Sequence, residues 1–124
     1  MAMQRILVAE DNKLIQQTIS YKLIKDGFEV ITVDDGQACL EKLKMIEVDL
    51  LITDLFMPFI NGHEVISTIR NEWKKQIPIL VLTSAGSEET VLKAFELGAD
   101  DYMVKPFSLG ELTVRVKKLL AARR

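Results

Sequence analysis

A chain of 124 residues with 48% hydrophobic and 27% charged residues is the size of one domain, and neither disordered nor membrane-embedded. A formal net charge of -2 lacks the basic excess of a general nucleic-acid surface. No apolar run reaches the length of a membrane span, and no signal-peptide layout opens the chain.

The chain alternates short apolar runs with longer segments of helical period. Arg5 to Ala9 reads as a first strand and runs into Glu10-Asp11-Asn12. Asn12 is placed to cap a helix carrying Ile15, Ile19 and Leu23 along one face, and Gly27 stops it after Asp26. Glu29 to Val33 is a second strand. A helix from Asp34-Asp35-Gly36 to Met45 or Ile46 follows. Cys39 shares a face of that helix with Leu43 and Ile46, so it reads as a small core residue; a single cysteine suits a reducing cytoplasm.

Leu50-Leu51-Ile52 has the bulk of a strand buried on both faces, and it ends in Asp54 before a turn enforced by Pro58 and Asn61-Gly62. A carboxylate there is either a turn residue capping its own backbone or a chemical group on a rigid support. Val65, Ile66, Ile69 and Trp73 give a third helical face, with Trp73 as core or rim packing. His63, at the start of that helix, reads as solvated surface. Pro78 introduces a fourth strand, Ile79 to Leu82, ending in Thr83-Ser84. Ser87 and the acidic pair behind it start a helix carrying Val91, Leu92 and Phe95, closed by Gly98. Tyr102 to Val104 is a fifth strand ending in Lys105-Pro106. Ser108 and Glu111 form a capping-box pattern for a last helix, with Leu109, Leu112, Val116 and Leu119 on its inner face.

The expected fold is α/β: five βα units forming an open parallel sheet with helices on both faces, too few units for the eight-fold barrel. Chemistry-bearing side chains fall at the carboxyl ends of strands one, three, four and five: Glu10 and Asp11, Asp54, Thr83, Lys105. That edge is where open α/β sheets bind ligands. With strand order 2-1-3-4-5, three carboxylates crowd one crevice, so some protonate or a cation sits among them. Hard oxygen donors suit Mg2+, and the single His63 offers no zinc grouping.

The motifs ILVAEDN, LLITDLFMP with Asn61-Gly62, VLTSAG and DYMVKPF together resemble the receiver domain of two-component response regulators, over essentially the whole chain. The resemblance implies a CheY-like, flavodoxin-like doubly wound fold. It also implies that Asp54 is a phosphoacceptor for the phosphohistidine of a sensor histidine kinase or phosphotransfer protein. It further implies Mg2+ bound by Asp11, Asp54 and the main-chain carbonyl of Phe56, with Glu10 acting through water. Lys105 and Thr83 then hold phosphoryl oxygens, the Lys105-Pro106 bond is cis, and Thr83 and Tyr102 form a switch. That switch reshapes the surface of the fourth helix, fifth strand and fifth helix, where an output domain, a target protein or a second copy after phosphorylation would dock. Tyr102 also has a plain reading as a strand-edge aromatic.

The same resemblance implies a cytoplasmic protein with no direct nucleic-acid or membrane contact. It also implies that the domain catalyses only its own phosphorylation and slow dephosphorylation. Residues 1–124 are expected to be one receiver domain, standing alone or cut from a longer regulator; the doubled Met1-Ala2-Met3 start and the Arg124 end fit the latter. Two departures stand out. Glu10 replaces the more frequent Asp, a longer side chain of the same charge that the site tolerates, and Phe56 stands where a polar residue is common; Phe56, with Ala85 equally apolar two residues after Thr83, suggests slow loss of the phosphoryl group.

The main rival reading is a pseudo-receiver, an interaction module that is not phosphorylated. A flavin protein would want an uncharged phosphate loop after strand one. A haloacid-dehalogenase-type phosphatase would want a second Asp where Phe56 stands.

Overall fold

The computed structural model describes residues 3–84 and 88–122. Strands β1 (Arg5–Ala9), β2 (Glu29–Val33), β3 (Leu50–Asp54), β4 (Ile79–Ser84) and β5 (Asp101–Lys105) alternate with helices α1 (Lys13–Lys25), α2 (Gly36–Met45), α3 (Gly62–Ser67), α4 (Glu88–Leu97) and α5 (Leu109–Ala122). All neighbouring strands pair in parallel, as the alternation predicts, and their order is β2-β1-β3-β4-β5, the one the family resemblance implies.

The two-residue period of the strands builds two cores, one on each face of the sheet. Leu7 and Ala9 of β1, Leu51 of β3, and Ile79 and Val81 of β4 face α2, α3 and α4. There they meet Cys39, Leu43, Val65, Ile66 and Ala94. Ile6, Val8, Leu50, Ile52, Leu80 and Leu82 face α1 and α5, where Ile19, Leu23, Leu112, Val116 and Leu120 cover them. Burial on both faces explains why β1, β3 and β4 read as continuous apolar runs.

The helix starts follow their cap residues. Asn12 Oδ1 accepts from the Ile15 amide at 3.0 Å, Asp35 Oδ1 from Ala38 at 2.7 Å and Asn61 Oδ1 from Glu64 at 2.9 Å. Ser108 Oγ accepts from the Glu111 amide at 3.0 Å, while the Glu111 carboxylate turns to Arg115 at 3.1 Å. Gly27 and Gly98 end α1 and α4 in the left-handed region, at φ 99 and 118.

Four expectations are corrected. The third helical segment is continuous in its apolar face through Ile69, but from Thr68 to Glu72 it is a π-helix, with the Trp73 amide donating to the Thr68 carbonyl at 2.9 Å. The inner face of α5 uses Leu120, with Leu119 only half-buried. In α4 only Ala94 is buried; Val91, Leu92 and Phe95 instead line an open groove with Thr83, Ser84, Tyr102 and Val104, because the helix lies toward the sheet margin. His63 is half-buried, and the tautomer protonated at Nε2 donates to the Thr90 carbonyl of α4 at 3.0 Å. The readings of Ser87 as a helix start and of Ala85 fall outside the described residues.

Candidate functional site

The carboxyl ends of β1, β3 and β5 bring together residues far apart in the chain. Asp54 ends β3 with its carboxylate almost fully buried. Oδ1 accepts from the Phe56 amide at 3.2 Å, and Oδ2 accepts from Lys105 Nζ at 2.8 Å. The same ammonium forms an ion pair at 2.7 Å with Oε1 of the fully buried Glu10. The Asn12 amide holds Glu10 Oε2 at 3.0 Å. Glu10, Asp11 and Asp54 each present an oxygen within 4.8 Å of the others, with Asp11 on the solvent side.

Each carboxylate pair at that separation, if ionised, repels by about 3 kcal/mol at an effective dielectric of about 20. One lysine leaves two of the three charges unbalanced. Burial pushes the Glu10 carboxyl up from its ordinary value, and the charge of Asp54 adds to this against the pull of Lys105 and the Asn12 amide. Burial pulls the Lys105 ammonium down, but its bonds to Asp54 and Glu10 outweigh that and leave it above an ordinary lysine. Hard oxygen donors and excess negative charge together suit a divalent cation.

Two further expected residues lie beside this crevice. Thr83 is buried at the end of β4, where its hydroxyl donates to the Ser84 carbonyl at 3.2 Å. Tyr102, on β5, is 37% exposed and meets the Phe95 ring edge-to-face, with centroids 5.8 Å apart. The Lys105-Pro106 bond is cis. The structure thus draws Glu10, Asp11, Asp54 and Lys105 into one crevice, with Thr83 at the neighbouring strand end. Tyr102 stands outside it, on the groove along α4.

Some contributors escaped the sequence reading. Buried Gln16 donates from Nε2 to the carbonyls of Glu10 at 2.9 Å and Val33 at 3.0 Å, and to Asp34 Oδ1 at 2.9 Å, so it ties the ends of β1 and β2 to α1. A signal existed: Gln16 precedes Ile19 and Leu23 at 3 and 4 spacing and so sits on the buried stripe. Gly36 and Gly62 are required by close approach. A Cβ at Gly36 would overlap the Ile60 carbonyl, and one at Gly62 the Asp54 carbonyl.

A doubly wound parallel sheet with an acid-and-lysine crevice at its carboxyl edge defines the class of protein. Residues 6–117 match the family model described as the response regulator receiver domain. The chain is 42% identical over 115 residues to response regulator RR06 of Streptococcus pneumoniae, covering 93% of this chain and 52% of that protein. It is 40% identical over 117 residues to the alkaline phosphatase synthesis transcriptional regulatory protein PhoP of Bacillus subtilis, covering 94% and 48%. Among solved structures, chemotaxis response regulator CheY4 of Vibrio cholerae superposes with a TM-score of 0.88 at 32% identity, over 95% of this chain and 99% of that one. The receiver domain of Francisella response regulator 1452 gives 0.89 at 30% identity, over 95% and 97%. The chain belongs to the response-regulator receiver family, and it spans about half the length of these two curated relatives.

Proposed function

We propose that the chain is the phosphoacceptor receiver of a two-component system, taking a phosphoryl group from the phosphohistidine of a sensor kinase or phosphotransfer protein onto Asp54. The observation that carries this is the bridging Lys105 ammonium, 2.8 Å from Asp54 and 2.7 Å from Glu10. It pairs with the acceptor carboxylate and is placed to move onto a phosphoryl oxygen once Asp54 carries the acyl phosphate. An Asp54 oxygen forms the new O–P bond, the P–N bond breaks, and the imidazole keeps that electron pair and takes up a proton.

Asp11, Asp54 and the main-chain carbonyl of Phe56, with Glu10 through water, would hold Mg2+, whose charge would offset that of the transferring phosphoryl group. The Thr83 hydroxyl, which donates to the neighbouring Ser84 carbonyl at 3.2 Å, is able to re-aim toward a phosphoryl oxygen. Tyr102 then turns into the space that Thr83 leaves, giving up its contact with Phe95. The groove between α4 and β5 carries that change to the face made by α4, β5 and α5, for an output domain, a target or a second copy. Incubation with Mg2+ and acetyl phosphate, followed by intact mass, tests this. One added phosphoryl group in the wild type and none in Asp54→Asn is expected. No gain in either supports the pseudo-receiver, and steady turnover an enzyme acting on other substrates.

A further inference from the structure

The loop between β3 and α3 carries two exposed aromatic rings. Phe56 is 60% exposed and Phe59 is 81% exposed. Phe59 also adopts φ 70, and the Ile60 amide donates to the Pro58 carbonyl at 2.9 Å, closing a three-residue γ-turn around it. A positive φ in such a turn is strained for a bulky side chain, whereas Gly or Asn adopts it readily. Neither core includes Phe59.

The loop is not free to relax. Ile60 presses its carbonyl on Gly36 of α2, Gly62 lies against the Asp54 carbonyl, and the Gly62 amide donates to the Leu55 carbonyl at 2.9 Å. At one residue the chain therefore both strains its backbone and holds a large apolar ring in water, on a fixed support. That support is also a wall of the acceptor crevice, since the Phe56 amide binds Asp54.

We propose that Phe59, flanked by Phe56, is the aromatic anchor on which the phosphoryl-donating protein docks. This rests on the receiver reading above. A protein donor reaching Asp54 must cover the loops at this edge of the sheet, whereas a small phosphodonor enters only the crevice. Aromatic side chains concentrate at interface hot spots because they bury a large area for few frozen torsions, and a clamped loop loses little entropy on docking. Residues 55–64 contain no Lys or Arg and adjoin an acidic crevice, which disfavours an anionic lipid surface or a nucleic acid.

The test compares the wild type, Phe59→Asn and Phe59→Tyr with two kinds of donor. Acetyl phosphate with Mg2+ loads Asp54 without a protein partner. Phosphorylated cytoplasmic cores of the histidine kinases of the source organism supply the protein donors, and the one that loads the wild type fastest is carried forward. Phe59→Asn is expected to melt higher than the wild type and to load from acetyl phosphate as fast, yet to lose about tenfold or more in kcat/KM from the kinase. Phe59→Tyr restores it. Equal kinase transfer to Phe59→Asn overturns the anchor. So does a wild type that acetyl phosphate loads and no kinase does, or a wild-type self-association that Phe59→Asn abolishes. A wild type that acetyl phosphate cannot load sinks the receiver reading itself, and the anchor with it.

Discussion

At Phe56 the backbone and the side chain have separate tasks. The amide braces Asp54 Oδ1 at 3.2 Å, while the ring two residues beyond the acceptor is 60% exposed. An apolar ring there offers no hydrogen bond to a water approaching an acyl phosphate, and a polar residue would. Phe56→Asn is therefore expected to shorten the lifetime of phosphorylated Asp54 about tenfold, equivalent to about 1.4 kcal/mol of barrier. Decay of the phosphorylated protein after removal of acetyl phosphate measures it, and equal lifetimes would refute the shielding role. Most of the crevice was legible at this scale, because Glu10, Asp11, Asp54 and Lys105 each follow an apolar run and parallel topology carries strand ends to one edge. The contact between Asp54 and Lys105 crosses 51 residues of sequence, and no local pattern encodes it. Only the strand order places the two side by side. Phe59 went unread for a different reason: a left-handed torsion is signalled by Gly or Asn, and a phenylalanine there conceals it.

At the scale of elements, α4 is the least embedded helix. Its only buried residue is Ala94, and polar tethers from the segment before β4 hold it on one side. His63 reaches Thr90 near its start. At its end Arg70 donates from Nε to the Gly98 carbonyl at 3.0 Å and pairs with Asp100 at 2.9 Å, while a third bond reaches the Lys75 carbonyl at 2.9 Å. On the other side the edge-to-face contact of Phe95 with Tyr102 contributes about 1 kcal/mol. A helix so held is able to shift as a unit when one tether changes, as the proposed Tyr102 rotation requires. Arg70→Met keeps the stem and removes the bonds, so urea unfolding is expected to show a loss of about 2 kcal/mol. Hydrogen exchange is expected to quicken in α4 more than in β1 or β3. Uniform exchange across the molecule would contradict the tether. The apolar stripe of α4 was legible as a stripe, but helical periodicity states which residues share a face and not what covers it. Likewise the π-helix at Thr68 leaves Val65, Ile66 and Ile69 buried as an ordinary helix would, so spacing alone did not betray it.

At the scale of the molecule, the two faces of the sheet are fastened differently. The α2, α3 and α4 face carries the polar tethers just described. On the other face α1 and α5 join at Asp26, whose carboxylate accepts from Thr113 Oγ1 at 2.6 Å and from Lys22 Nζ at 3.0 Å. The Thr113 hydroxyl, and after it Lys22, hold this carboxyl below its ordinary 3.8. Because the folded value is depressed, the stability it contributes is complete above pH 3.8 and disappears as pH falls through the lower folded value. Asp34, also held low, by Lys13 and Gln16, works in the same direction, but its side chain is 58% exposed against 14% for Asp26, so solvent screens it far more. Asp26→Asn imitates the protonated carboxyl at every pH. At pH 6 the variant is expected to be less stable by about 1–2 kcal/mol. The gap in melting temperature should hold constant down to the ordinary value and then close on further acidification. A gap that persists below that point would show that the α1–α5 junction depends on the shape of the side chain and not on its charge.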